Sequence, residues 1–438
     1  MKKARFICSL LTAILLLVSL AACTQSPEQE PQTEQQPSAD QPQSTPEDNS
    51  VDQAESIEDT VVLKFGAWGD ASTFEVFEYM VSGIQDAVPE VSHIELMQYA
   101  STGEFWTQLP SQIAAGTAPD VAFLTNELVF EMISNGLIIP VDESIIDPRT
   151  SEDAIRAWVV DGTLYSVPVN LQPTLIAINL NVWEQAGLTE EDFPETWADV
   201  ENVSSIIKER VEGVYPMCIN IEEMFHVTQI VQGFGGGWDF GRSIDNPQNK
   251  QAIQWIIDMF DQEYAVTPVQ AGANWDGEMV AMGTAAMSTG GVWYYYVMME
   301  HDMGDHFTAI PIPRLDNNNR GSSLHSDAVV ILSHTAYPEL AKQAAVYIAR
   351  EEAQLARAEG TGNVPVFTDL VDFYYEARPQ FMPIKGSEAY AIPFAYPSAA
   401  GRFLTNFVNV LSGAIYDSAN SMTGDELIQE VIDMGDYN

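Results

Sequence analysis

From Val61 onward, short apolar runs alternate with longer stretches whose apolar residues recur every three or four positions. That alternation, strand then amphipathic helix, restricts the chain to α/β architectures. Val61-Val-Leu-Lys-Phe65 reads as a strand, ended by Gly66-Ala-Trp68-Gly69-Asp70. Phe74, Phe77, Val81, Ile84 and Val88 follow at helical spacing, with Glu75, Glu78 and Gln85 on the opposite face. A second strand around His93 to Met97 leads to a helix carrying Phe105, Leu109 and Ile113, and Pro110 predicts a kink or an end to its first part.

The residues before this body have a different character. Lys2, Lys3 and Arg5 precede an apolar run from Phe6 to Leu20 that is too short for a comfortable membrane span, which marks residues 1–22 as a signal peptide. The run closes on Leu20-Ala21-Ala22-Cys23, which resembles the bacterial lipobox; the resemblance implies cleavage before Cys23 and acylation of its thiol. Two acyl chains anchor stably where one binds only marginally. From Thr24 to Thr60 the chain is rich in Gln, Glu, Ser and Pro, with no Lys, Arg or aromatic residue, so residues 23–60 read as a lipid-anchored, disordered acidic tether. As a flexible coil those 37 residues span on the order of 35 Å. The remainder suits two domains.

Net charge is −45, and loss of Lys2, Lys3 and Arg5 with the leader makes the rest three charges more negative. Nucleic acid and anionic lipid both require basic patches, so neither is an expected partner. Three cysteines are present; with Cys8 in the leader and Cys23 acylated, Cys218 is alone and reads as a small core hydrophobe.

The segment Gln112-Ile-Ala-Ala-Gly-Thr-Ala-Pro-Asp-Val-Ala-Phe-Leu124 is a helix stop at Gly116, a proline-set turn and a buried strand from Val121. It resembles the A-A-G-x-x-P-D-V segment of the extracellular solute-binding proteins of bacterial ABC importers, family 1, which includes maltose- and other oligosaccharide-binding proteins. Further matches follow in the same order. Asn135-Gly-Leu-Ile-Ile-Pro-Val-Asp142 is similar to that family's G-x-L-x-P-L-D, and Asp161-Gly-Thr-Leu-Tyr-Ser-Val-Pro168 to its D-G-x-x-Y-x-V-P. Ala186-Gly-Leu188, Pro194-Glu-Thr-Trp197 and the stretch from Gly283 to Trp293 resemble its A-G-L, P-x-T-W and G-x-x-A-M-x-x-x-G-x-W.

The resemblance implies an α/β, two-lobed periplasmic-binding-protein-like fold (type II), each lobe a sheet flanked by helices, with hinge crossings between them. On this chain it places residues 61–169 plus 326–368 in one lobe and 170–325 plus 369–438 in the other. The crossings are expected near Pro168 to Leu171, near Ser322 to Ala328 with a strand from Val329, and after Asn363-Val-Pro365. It further implies capture of a carbohydrate between the lobes, delivery to the transmembrane permease subunits of an importer, action as a monomer on the outer face of the cell membrane, and neither catalysis nor a cofactor.

A sugar offers hydroxyls at its rim and C–H groups on its faces, so its site needs flat aromatic platforms with polar side chains beside them. Trp68 with Asp70, Trp238 with Asp239, Trp275 with Asp276, and Trp293 with Tyr294 combine the two in loops or strand-end turns, and are the expected platforms. Asn126 after its strand and Gln172 past the first crossing are the expected polar contacts. Ala285 to Thr289 reads as a buried strand, with Gly290-Gly291 turning the backbone so that Trp293 and Tyr294 open the next helix. Trp106, Trp158, Trp183, Trp197 and Trp255 sit in helical patterns and read as packing residues.

No G-x-S-x-G elbow, H-E-x-x-H pair, phosphate loop or dinucleotide motif occurs. His301-Asp302-Met-Gly-Asp305-His306 reads as a solvated loop, and Asp316-x-Asn318-x-Arg320-Gly321 puts a cation where a calcium loop needs an oxygen. Two alternatives stay open: the same fold binding a polyamine or other cationic solute, or a surface-anchored glycan hydrolase.

Overall fold

The computed structural model describes residues 60–69, 71–316 and 321–437. The leader, Cys23, the tether, Asp70 and the Asn318–Arg320 loop lie outside the described residues.

Two mixed sheets organise the chain. The first has the order β13-β6-β12-β3-β1-β2, built from β1 (Val61–Trp68), β2 (Val91–Tyr99), β3 (Val121–Thr125), β6 (Val167–Leu171), β12 (Ser326–Ile331) and β13 (Val364–Pro365). The second runs β11-β7-β10-β8-β9, from β7 (Thr174–Asn179), β8 (Tyr215–Cys218), β9 (Ala265–Val266), β10 (Ala285–Gly291) and β11 (Phe307–Ile310). A small antiparallel ribbon joins β4 (Val159–Val160) to β5 (Thr163–Leu164). Within the first sheet β1 lies parallel to β2 and β3, while β12 runs antiparallel to β3 and β6. The strands β6, β7, β10 and β12 are buried along their whole length, as strands covered by helices on both faces must be.

One apolar cluster lies on each sheet, and a third, with Leu124, Ala328, Leu175 and Ala177, joins the two. Phe65, Phe77, Phe123, Val329 and Ile348 belong to a cluster on the first sheet, whereas Trp197, Phe234, Trp255, Phe403, Phe407 and Val431 belong to one on the second. The C-terminal helices Ala400–Tyr416 and Gly424–Asp433 bury Phe403, Phe407, Val410, Leu411, Leu427 and Val431. A reciprocal capping box between Thr423 and Glu426 starts the last of them, satisfying two backbone donors that would otherwise have no partner. Cys218 is buried and free, and burial pushes its thiol well above the usual range.

Some local expectations change. The helix Thr102–Ala115 runs unbroken through Pro110, with buried Phe105 and Leu109 before it and partly buried Ile113 after it packed on the same apolar cluster. Gly116 then ends it in a left-handed conformation at φ 68°, its N–H returned to the Gln112 and Ile113 carbonyls. The strand expected from Val329 starts three residues earlier, at Ser326. Gly290 and Gly291 do not turn the chain: they stay in β10, paired with Leu175 and Thr174. Their missing side chains serve another purpose, since the Tyr294 ring lies over Gly290 and the Trp293 ring over Gly291 where a Cβ would stand. Gly290→Ala is therefore expected to cost about 1–3 kcal/mol through overpacking, read as a lowered urea midpoint with an unchanged slope.

The chain passes between the sheets three times. β6 ends at Leu171 and β7 begins at Thr174, so the first passage is Gln172-Pro173. The second lies between Ile310 and Ser326, and the third follows Pro365 into the helix Thr368–Glu376. Leu324 in the second passage is tied to both sides: its N–H donates to Ile392 O, and its carbonyl accepts from the Asn126 side chain, at 2.8 Å each.

Candidate functional site

Where the strand ends of the two sheets face each other, a cleft of about 560 Å³ opens, within the range of small-molecule sites. From the first lobe Trp68 reaches it from the end of β1, Trp106 from the helix Thr102–Ala115, Thr125 from the end of β3 and Glu127 from just beyond it, and Arg357 and Asn363 from the segment before β13. Gln172, His325 and Asp327 line it at the passages between sheets. Glu223, Phe225, Trp293 and Leu404 close it from the second lobe.

The rings form a continuous wall. Phe225 lies 5.4 Å from Trp293 and 6.2 Å from His325 between ring centroids, and Trp293 meets His325 edge-on at 5.6 Å. Phe394 holds the other edge of His325 at 5.2 Å. This arrangement offers flat apolar faces beside hydrogen-bonding groups, the combination that a polyhydroxylated ligand with C–H faces requires.

Beneath the wall sits a buried charge pair. The Asp327 carboxylate accepts hydrogen bonds from Asn170 at 2.9 Å and from Gln172, with the Arg357 guanidinium at 3.4 Å. Burial raises the Asp327 carboxyl, opposed by Arg357, His325 and the two amides; burial also lowers Arg357. Arg357 lies over Phe123 at 4.7 Å and Phe77 at 5.2 Å, so the pair is clamped by the first lobe's core.

Six buried polar atoms with nothing to bond lie here. Trp68 Nε1, both ring nitrogens of His325, Asp327 Oδ1, Arg357 Nε and Asn363 Oδ1 are buried without a hydrogen-bond partner, and all five residues line the cleft. Buried polar groups are nearly always satisfied, so such a cluster in one cavity points to a ligand that supplies the missing partners.

Among the sequence-predicted residues, Trp68, Gln172 and Trp293 come together on this cleft. Trp238 does not: it is 0% exposed, packed edge-on against Phe403 and Phe407, with Nε1 donating to Thr228 Oγ1 at 3.0 Å. The chain after Gly237 turns its indole inward because the second lobe's aromatic core offers both apolar contact and an acceptor for the N–H. Asp239 pairs instead with Arg242 at 2.8 Å, and that partner holds its carboxyl below the usual range. Asn126, 2% exposed, spends its side chain on Ala157 O, Leu324 O and the Ser326 N–H. Both Asn126 and Asp239 line a separate cavity of about 460 Å³ alongside Val129, Ala157, Phe240 and Ile392.

Tyr294 is fully buried, and its hydroxyl donates to Asp276. Trp275 is half-buried, edge-on to Tyr294 at 5.4 Å, and is absent from the cleft wall. The two thus support the segment that carries Trp293. Asp276 also accepts from Asn220 at 2.8 Å and faces His226 at 3.4 Å. Despite burial, His226, Tyr294 and Asn220 bring the Asp276 carboxyl down to about 2; burial works against the His226 charge, but Asp276 overcomes it and raises that imidazole.

Sequence reasoning assigned Trp106 to packing, yet it lines the cleft. It stands about 100° round the helix from buried Phe105, off the apolar stripe, and that offset was the available signal. Trp158, Trp183, Trp197 and Trp255 are buried as packing residues. Glu127, Glu223, Phe225, His325, Asp327, Arg357 and Asn363 were not anticipated. An acid set directly before the apolar run Ala328–Leu332 is the one local hint, and it concerns Asp327 alone.

The fold recurs among solved structures. An ABC substrate-binding protein from Listeria monocytogenes, solved in complex with cycloalternan, superposes at TM-score 0.72 with 16% identity, covering 86% of this chain and 98% of that one. The GacH receptor of Streptomyces glaucescens superposes at 0.71 with 16% identity over the same shares. In sequence, the galactooligosaccharide-binding protein of Bacillus subtilis is 23% identical over 275 residues, 59% of this chain and 62% of that protein. The chain spans about three fifths of the length of the curated relatives it matches. Every strand of the two sheets except β1, the passages between them and most of the cleft fall within residues 90–383, which match the bacterial extracellular solute-binding protein model over two thirds of the chain; the protein belongs to that family.

Proposed function

We propose that the protein captures a carbohydrate, an oligosaccharide in the first instance, in the cleft between its lobes and passes it to the permease of an ABC importer without chemical change. The observation that carries this reading is the set of partnerless polar groups that the first lobe and the passages present to one cleft, which Phe225 and Trp293 wall from the second lobe. Family membership supports the transport role, and relatives named for galactooligosaccharide, maltodextrin and arabinooligosaccharide binding support the ligand class. Ligand contacts to both lobes favour the closed arrangement, because only that arrangement makes them together.

The lipobox-like Leu20-Ala21-Ala22-Cys23 supports tethering to the outer face of the membrane through Cys23. Among the described residues no helix is long and apolar enough to cross a membrane. We read the protein as a monomer whose bound form docks on the permease.

Calorimetry and thermal shift across a panel of oligosaccharides test the binding role. A ligand at about 100 times its Kd is expected to add about 2.7 kcal/mol of stability, seen as a concentration-dependent rise in melting temperature. A panel covering α- and β-linked glucose, galactose and arabinose oligomers that leaves the melting temperature unmoved overturns it.

A further inference from the structure

The charges on the cleft do not balance. Asp327 is matched by Arg357, the one Lys or Arg on the cleft wall among the described residues, which leaves Glu127 from the first lobe and Glu223 from the second. The nearest cationic candidates to them are imidazoles. His325 Nε2 stands 3.4 Å from Glu127, and His226 Nε2 stands 4.0 Å from Glu223 while committed to Asp276 at 3.4 Å. The Glu223 side chain is 59% exposed at the mouth of the cleft; desolvation still raises its carboxyl, His226 lowers it, and Asp276, Glu127 and Glu222 raise it further.

A second observation places a ligand group at that spot. His325 is only 6% exposed, and neither of its ring nitrogens has a hydrogen-bond partner although it lines the cleft between Glu127 and the Phe225–Trp293 wall. A neutral sugar hydroxyl could satisfy the imidazole but would leave two carboxylates on the cleft wall without a Lys or Arg partner among the described residues. An ammonium satisfies both, since it donates to carboxylates and to a neutral imidazole nitrogen and is attracted to indole and phenyl faces.

We propose that the preferred ligand is a saccharide carrying a free amino group, with its ammonium held between Glu127 and Glu223 against Phe225, Trp293 and His325. This rests on the carbohydrate reading and narrows it. The amine joins the lobes electrostatically, so its binding includes closure of the same gap that the sugar rings fill. The protein's strongly negative charge adds long-range attraction for such a cation, which salt weakens.

The test uses the full-length chain and calorimetry with matched oligomers that differ only at C2: glucosamine, N-acetylglucosamine and glucose, β-1,4-linked, with malto-oligosaccharides beside them. The glucosamine oligomer is expected to bind at least about tenfold more tightly than its acetylated and hydroxylated counterparts, the scale of charge-assisted hydrogen bonds. Raising salt should shrink that ratio. E127Q and E223Q, both isosteric changes, should each lower the ratio of amine to neutral affinity and together bring it to about one; a double variant that keeps the ratio overturns the inference. Neutral oligomers binding as tightly as the amine overturn the inference and leave the transport reading standing. No binding by any member of the series and of the wider panel overturns both.

Discussion

Asp276→Ala is expected to lower folding stability by about 3–5 kcal/mol, the cost of leaving a buried charge without its partner. His226 would stay in the second lobe's interior with its nearest remaining carboxylate, that of Glu223, at 4.0 Å, and the Tyr294 hydroxyl and the Asn220 amide would each lose an acceptor. Urea unfolding monitored by tryptophan fluorescence measures the loss; a change below about 1 kcal/mol would mean that the network contributes little. The pH dependence carries a sign. Asp276 titrates near 2 in the folded chain against an ordinary 3.8, so its contribution is complete above about pH 4 and is lost as pH falls through 2. The raised His226 acts oppositely: its contribution is complete below its ordinary 6.5 and is lost as pH rises through its higher folded value. Stability should therefore sag at both ends, and Asp276→Asn should flatten the acid limb.

Trp293→Ala should weaken ligand binding by about 2–4 kcal/mol, at least thirtyfold, while leaving a folded protein. The indole faces the cleft with Phe225 and His325 on one side and rests over Gly291, so truncation removes a platform and opens the aromatic wall. Calorimetry with whichever oligosaccharide the panel identifies gives the result, with far-ultraviolet circular dichroism as the folding control. Unchanged affinity in a folded variant would take Trp293 off the ligand. Between the two substitutions lies a division of labour: Asp276 fixes Tyr294, and Tyr294 holds the turn from which Trp293 projects.

The α/β alternation was legible because each unit states its own period: Val61–Phe65 is continuously apolar but for Lys64, and Phe74 to Val88 steps by helical turns. The site was legible only in part, for a physical reason. An indole in a loop satisfies its N–H either in a cleft or in a core that offers an acceptor, and composition does not separate the two; Trp238 finds Thr228 and Trp68 finds none. Glu127, Glu223 and His325 acquire meaning only when segments far apart in the chain bring them to one wall. Gly290 and Gly291 announced a close approach, but the rings above them, rather than a bend, are what needed the room.

Leu324 has its amide hydrogen committed to one half of the molecule and its oxygen to the other. Any swing that parts the halves while keeping those two bonds must be taken up between them, in the φ and ψ of a single residue. The neighbouring passage is Gln172-Pro173, where the proline ring locks one torsion and the φ and ψ of Gln172 and the ψ of Pro173 stay free to turn. Leu324 and Gln172-Pro173 are thus two short connections over which such a swing has to be spread.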